Sequence, residues 1–240
     1  MGTADLHLHS TYSDGICSIK DILIRAKEMK LDVVSITDHN TLDGMSEAQA
    51  LADKIGISFI PGEEISTREG HLVALFIHKP IARGQSLHET LLQVGQQGGI
   101  AYAPHLFAKR FLSGIQNESI AACMRKADVC HALIGVETFG TGNFFNRQYT
   151  SLARDVARRF GLADLGNSDS HQYSTIGQYQ TRFEGITPAE LRISLLARTT
   201  QGIQHQEVHA LDIWMAFALR KLWVNGKRQG YTLGKRAFGF

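Results

Sequence analysis

Cysteine is scarce in this chain. Cys17, Cys123 and Cys130 are the only three in 240 residues, and their irregular spacing, with no CxxC pair, excludes a disulfide framework and fits a reducing cytoplasm. No apolar run approaches the length of a membrane span. No basic region followed by a long apolar stretch opens the sequence, so the protein is expected to be soluble, cytoplasmic and without a membrane partner. An excess of one charge is missing as well, and a formal net charge of +2 is too small to argue by itself for nucleic acid. There is no P-loop and no GxGxxG fingerprint. No GxSxG elbow surrounds Ser10, Ser13 or Ser170, which removes covalent serine catalysis. Linkers and low-complexity tracts are also absent. With 43% hydrophobic content, the expectation is one globular domain over residues 1–240 with a sizeable α/β core.

What is present is alternation. Short apolar strands fall near 4–9, 32–37, 57–61, 72–77, 99–103, 133–137 and 162–166. Amphipathic helices are read at 19–30, 44–55, 86–97, 117–126, 146–160 and 188–197. That is about seven βα-like units, the pattern of a parallel sheet or a single barrel. Residues 205–240 differ: Leu211, Trp214, Met215, Ala218, Leu219 and Leu222 recur at helical spacing, followed by Lys227, Arg228, Lys235 and Arg236 among glycines. They read as a closing helix with a basic tail.

The chemistry begins in the opening strand, at Asp5-Leu6-His7-Leu8-His9-Ser10. Residues i and i+2 of an extended strand share a face, so His7 and His9 present two imidazoles side by side, as a metal requires of its first two ligands. Further candidates sit where strands end: His39 after Val33 to Thr37, Glu64 after Ile57 to Pro61, His105 after Ile100 to Pro104, and Asp169 with His171 after Leu165-Gly166-Asn167. In α/β barrels that face carries the active site. His71 opens its strand instead, and a hairpin reversal near residues 68–70 is the route by which it would face inward. Asp38 is read either as an acceptor that orients a ligand imidazole or as a cap of the following turn. Asn40 is read as a turn residue. His78, His88, His131, His205 and His209 match no motif and are read as structural or solvated.

Taken in order, His7-Leu8-His9, Asp14, Thr37-Asp38-His39-Asn40, Gly62-Glu63-Glu64-Ile65-Ser66, Gly70-His71-Leu72, Pro104-His105 and Ser168-Asp169-Ser170-His171 resemble the polymerase-and-histidinol-phosphatase (PHP) family of metal-dependent phosphoesterases. Gly135-Val136-Glu137-Thr138-Phe139 and the segment 165–171 look like its stand-alone branch, and the resemblance reaches to about Gly185. It implies a distorted (β/α)7 TIM-like barrel with two to three divalent ions at the C-terminal face of the strands. By position, His7, His9, Glu64 and Asp169 would hold one metal, Glu64, His71 and His105 a second, and Asp14, His39 and His171 a third. Glu64 is preferred to Glu63 as the bridge because the family's bridging carboxylate precedes an aliphatic residue and Ser or Thr, as Glu64 precedes Ile65-Ser66.

These residue types suit phosphoester hydrolysis. Clustered cations clamp phosphoryl oxygens and lower the pKa of bound water from about 15.7 toward about 7, which provides an activated hydroxide. Imidazole and carboxylate donors without thiolate fit manganese, iron or zinc. Asp169 and His171 are placed in the catalytic centre. Arg110 is the basic residue expected on a non-reacting phosphoryl oxygen, ahead of Lys109 and Arg147. The expected activity is hydrolysis of phosphate mono- or diesters, on a small phosphorylated substrate, a nucleotide or a short oligonucleotide. The competing readings are a 5′-3′ exonuclease on short RNA or DNA and a non-catalytic metal-binding regulatory module. Amide hydrolysis is disfavoured, because no lysine matches a carbamylated metal bridge. Two departures from the family stand out: proline precedes His105 instead of following it, and a short connection replaces the long insertion that some nucleotide-cleaving relatives carry between the ligands matching His71 and His105.

Overall fold

The computed structural model describes residues 1–106, 114–140, 147–205 and 218. Its strands are β1 (Gly2–Asp5), β2 (Val33–Val34), β3 (Ser58–Phe59), β4 (Gly62–Ser66), β5 (His71–Leu75), β6 (Ile100–Ala103), β7 (Leu133–Phe139), β8 (Ala163–Gly166), β9 (Tyr179–Phe183) and β10 (Gln201–Gln204). Its helices are α1 (Ile19–Glu28), α2 (Met45–Ile55), α3 (Leu87–Gln96), α4 (Asn117–Met124), α5 (Arg147–Phe160) and α6 (Pro188–Ala197). All six expected helices form. Several start where the sequence supplies a cap: Ser18 accepts from the Asp21 amide before α1, and Ser86 with Glu89 and Thr187 with Glu190 make capping boxes before α3 and α6.

The α/β class is as expected, while the strands join differently from a ring of parallel units. Among the described residues they form two mixed five-stranded sheets, ordered β10-β9-β1-β2-β3 and β4-β5-β6-β7-β8. β9 and β10 run antiparallel beside β1, and β4 and β5 form an antiparallel hairpin. The sheets part where backbone pairing is interrupted. Pro61, which has no amide hydrogen to give, separates β3 from β4. At the other seam the Thr181 hydroxyl accepts from Gly166 N at 3.1 Å and donates to Gly166 O at 2.9 Å, so a side chain stands in for a ladder.

Three apolar clusters fix the layers. One lies between the two sheets and gathers Ala4, Val33, Val73, Leu75, Tyr102, Ile134, Leu165 and Phe183. A second packs α1 and α2 on the first sheet through Ile19, Ile22, Leu23, Val34 and Ala48. The third packs α3, α4 and α5 on the second sheet through Leu72, Ala74, Leu91, Ile120 and Ala153. Strand alternation then sorts the acids of β4. Ile65, Leu72 and Ala74 belong to the outer cluster and Val73 and Leu75 to the inner one. Glu64 pairs with Val73 in the ladder and Ser66 with His71, so Glu64 and His71 share the inner parity while Glu63 takes the outer one. The reversal that aims His71 inward is closed by Thr67 N donating to Gly70 O at 2.9 Å.

Candidate metal centre

The segment after β1 leaves regular pairing and is held instead by the loop after β8. Leu6 N donates to Asn167 Oδ1 at 3.0 Å, His9 N to Ser170 O at 2.9 Å and Ser170 N to His7 O at 3.3 Å. Asp38 locks the other side. It accepts from Ser10 N at 2.8 Å and from the hydroxyls of Ser10 and Ser13, each at 2.5 Å. These contacts match neither an imidazole acceptor nor a simple turn cap: Asp38 ties the His7–Asp14 loop to the segment that follows β2. Asn40 is a turn residue with φ +54°, and it also grips Ser66, accepting from its amide at 2.9 Å.

These tethers bring all nine expected ligands together. Glu64 is almost fully buried and lies at the middle. Its Oε2 is 3.2 Å from His7 Nε2, His9 Nε2 and His39 Nδ1. Its Oε1 is 2.8 Å from His71 Nδ1 and 3.0 Å from His105 Nε2. Asp169 Oδ1 lies 3.5 Å from His7 Nε2 and 3.2 Å from His9 Nε2. Asp14 Oδ1 is 3.2 Å from His171 Nε2, and Asp14 Oδ2 is 3.7 Å from His39 Nε2. Donor atoms of His7, His9, Glu64 and Asp169 lie within 4.8 Å of one another, as do those of His9, Asp14, His39 and His171 and those of His39, Glu64 and His71. The first group is the expected one. The others differ in one member each: His9 joins Asp14, His39 and His171, and His39 takes the place beside Glu64 and His71 that was expected of His105. His105 still touches Glu64, from a left-handed backbone with φ +30° just after Pro104.

The donor set fits divalent cations. Ligand bonds of about 2.0–2.2 Å hold neighbouring donors about 3.0–3.5 Å apart in tetrahedral or octahedral geometry, close to the separations seen here. His7 Nε2, both ring nitrogens of His9 and His105 Nδ1 are buried without a hydrogen-bond partner. Such atoms are costly unless something else claims their lone pairs. Asp169 adopts φ +49°, a left-handed conformation that non-glycine residues rarely take and that is found at functional sites.

Charge balance points the same way. Burial alone would lower the His7 and His9 pKa values, but Asp169 and Glu64 overcome it, lifting His7 well above the ordinary imidazole range and His9 to about 10. Burial would raise Glu64 and Asp169, and the facing histidines instead hold both well below the usual carboxylate range. His39 moves down to about 4, chiefly through burial. Without metal, then, protons on His7 and His9 balance the carboxylates, and an incoming cation must displace them. Titrating metal-free protein with manganese in buffers of different ionisation enthalpy is expected to show release of about one to two protons per first ion at pH 7, with affinity climbing as pH rises. The sign follows from the raised pKa. The His9 contribution to the metal-free fold is complete below the ordinary value of 6.5 and is lost as pH climbs toward about 10. Buffer-independent heats would contradict this proton balance.

The PHP domain family model matches residues 5–204. The chain belongs to the PHP domain family. It is 36% identical over 187 residues to the uncharacterized protein MJ0417 of Methanocaldococcus jannaschii, covering 76% of this chain and 70% of that one. It is 35% identical over 107 residues to the 3′,5′-nucleoside bisphosphate phosphatase of Chromobacterium violaceum, covering 41% of this chain and 38% of that enzyme. A two-domain protein from Bacteroides vulgatus, described as containing a predicted PHP-like metal-dependent phosphoesterase, superimposes with a TM-score of 0.70 at 19% identity, over 91% of this chain and 69% of that one.

Sequence reasoning missed the buried supports of this PHP site. Glu137 Oε2 lies 3.1 Å from His7 Nδ1, so that a proton stays on Nδ1 and Nε2, beside Glu64 and Asp169, is the nitrogen that would be left for a metal. Asn167 donates to Glu137 Oε2 at 3.4 Å and to the Tyr102 hydroxyl at 3.3 Å, and that hydroxyl donates to Leu6 O at 3.0 Å. The one available signal was an acid inside the apolar strand 133–139. Glu137→Gln is expected to weaken metal binding about 10–100-fold while the fold persists, measured by metal titration and circular dichroism. Unchanged affinity would contradict the orienting role. Arg110 and Lys109 lie outside the described residues, as does the side chain of Arg147. The closing helix and tail, read at 205–240, also lie outside them, apart from His205 and Ala218. No helix among the described residues is long and apolar enough to cross a membrane.

Proposed function

We propose that this PHP chain is a hydrolase of phosphate mono- or diesters that works with two to three divalent ions, manganese, iron or zinc, on a small phosphorylated substrate. The observation that supports it most is the convergence of five imidazoles on the single carboxylate Glu64, with Asp169 and Asp14 completing groups on either side. The proposed ligands are His7, His9, Asp14, His39, Glu64, His71, His105, Asp169 and His171. When bound, the ions supply positive charge for the phosphoryl oxygens and a nucleophile derived from water near neutral pH.

The residues do the positioning. Glu137 holds His7 and Asp38 holds the loop that carries His9 and Asp14. The carbonyl of Asp169, which can only accept, keeps the His171 proton on Nδ1 at 3.0 Å and turns Nε2 toward Asp14. His171 and Asp169 are assigned to the catalytic centre, where His171 Nε2 and the Asp169 carboxylate would each hold a metal. Arg110 is assigned to the phosphoryl oxygens. The two sheets are read as the wall of a distorted seven-unit barrel. Residues 1–240 are read as one PHP domain in which 205–240 form a closing helix and basic tail. The free thiols of Cys17, Cys123 and Cys130 suit a cytoplasmic protein.

The deciding experiment is phosphate release from phosphomonoesters, nucleoside bisphosphates and short 5′-phosphorylated oligonucleotides by metal-stripped protein reconstituted with each metal. Turnover of small esters is the expected result. Preference for oligonucleotides would favour the exonuclease reading, and relatives named as 5′-3′ exoribonucleases exist, one from Haemophilus influenzae being 43% identical over 79 residues. Stoichiometric metal binding with no turnover would favour the non-catalytic module.

A further inference from the structure

A cleft of about 950 Å³ opens beside the metal centre, with Ser13, Asp14, His39 and Asn40 on one wall and Pro80, Ile81, Ala82 and Arg83 on the other. That volume lies near the upper end of the range for small-molecule sites, about 300–1,000 Å³, and leaves room for much more than one phosphoryl group. Asp14 and His39 belong to the proposed ligand set, so the near wall is the reacting side. The far wall comes from the short connection between β5 and α3. Arg83 is the only arginine or lysine on the cleft among the described residues.

The far wall is held in place at several points. Gln97 Oε1 accepts from His78 N and Lys79 N, both at 2.9 Å, and Gln97 Nε2 donates to Lys79 O at 3.0 Å. Ile81 is buried in the outer core, and its amide donates to the buried Glu63 at 3.1 Å. Just past Arg83, Gly84 turns with φ +79°; its amide donates to Ser66 O at 2.7 Å and its carbonyl accepts from Arg68 Nε at 3.0 Å. Ser66 closes the strand that carries Glu64, so this tether sets Arg83 relative to the metal centre. The Arg83 side chain is exposed, with no hydrogen bond or ion pair to another described residue. An arginine on a backbone pinned this firmly, unpaired and across a cleft from a centre suited to phosphoryl groups, has the fork geometry and charge to grip a second phosphate.

We propose that Arg83 is a specificity residue that selects phosphoesters carrying a second phosphate, which it binds while the reacting phosphate lies at the metal centre. The assignment rests on the phosphoesterase reading. The probes are a nucleoside 3′,5′-bisphosphate and the matching 5′-monophosphate, tested on manganese-reconstituted wild type, Arg83→Gln and Arg83→Lys. In Arg83→Gln the KM for the bisphosphate is expected to rise about ten-fold or more, as for loss of a charge-assisted contact, while the monophosphate KM moves less than about three-fold. Arg83→Lys should recover part of the loss, keeping the charge without the fork. Equal rises for both substrates, or no rise for the bisphosphate, overturn the assignment. Equilibrium binding of the bisphosphate separates the two ideas. Binding that depends on Arg83 without turnover by wild type keeps the assignment and removes the phosphoesterase reading. Turnover with binding indifferent to Arg83, or no bisphosphate binding by wild type, does the reverse or removes the assignment outright.

Discussion

Glu64→Gln is expected to empty the metal centre and lower kcat by at least about 10³-fold, the equivalent of several kcal/mol of transition-state charge stabilisation. The substitution keeps the shape of the side chain and removes its charge. That charge faces His7, His9 and His39 through one oxygen and His71 and His105 through the other, whereas Asp14 and Asp169 each face three imidazoles. An amide would also turn an NH2 toward at least one of those imidazoles, placing a donor where a metal needs an acceptor. Asp169→Ala and His9→Ala should abolish turnover too, but each belongs to fewer contacts around Glu64. The check is metal content by mass spectrometry together with phosphate release. Glu64→Gln with a full complement of metal and ordinary turnover would remove the proposed bridge, while Glu63→Gln, which alters a carboxylate on the opposite face of the same strand, should leave the metal content intact.

Gly166→Ala should strongly damage the fold although Gly166 is not itself a ligand. A Cβ there would lie 2.6 Å from Gln180 O, 2.9 Å from the Gly202 Cα and 2.9 Å from Ile203 N, all backbone atoms of β9 and β10. No side chain can rotate away to relieve the clash, so the seam between the two sheets has to open. A cost on the order of 3 kcal/mol is expected, at the upper end for overpacking, and read as a fall in the denaturant midpoint. Because Asn167, Asp169 and His171 follow immediately, metal affinity should fall with it. A midpoint unchanged from wild type would mean that the sheets are not packed as described at this seam.

The sequence made the ligands legible for a physical reason. His7 and His9 announce a shared face by their spacing, and His39, His105, Asp169 and His171 each stand just past an apolar run, whereas Glu64, expected at such a strand end, lies in the middle of β4. What could not be read is what depends on distant partners. Glu137 looks like a lone acid in an apolar strand until His7, 130 residues earlier in the chain, is seen at its side. β2 and β3 are two residues long, because hydrogen bonding beyond them passes to loops that no local pattern reveals. β10, with the sequence Gln-Gly-Ile-Gln, carries too little alternation to announce a strand, and its antiparallel place beside β9 replaces one edge of the expected parallel ring. His39 and His105 both reach Glu64, from its two different oxygens, and His105 does so from the left-handed turn just after Pro104.

The tethers between β1 and the loops after β8 carry a consequence for the order of events during synthesis. Leu6 bonds to Asn167, 161 residues away, and Asp5 accepts from Ser168 and Gly177, 163 and 172 residues away. A ribosome therefore releases the two leading histidines long before the segments that orient them exist. Pairings of such long sequence separation form slowly, since the chain must close a large loop before any contact rewards it. Until then Asp169 and His171 are missing, so the two candidate groups to which they belong can be completed only when the β8 loop arrives.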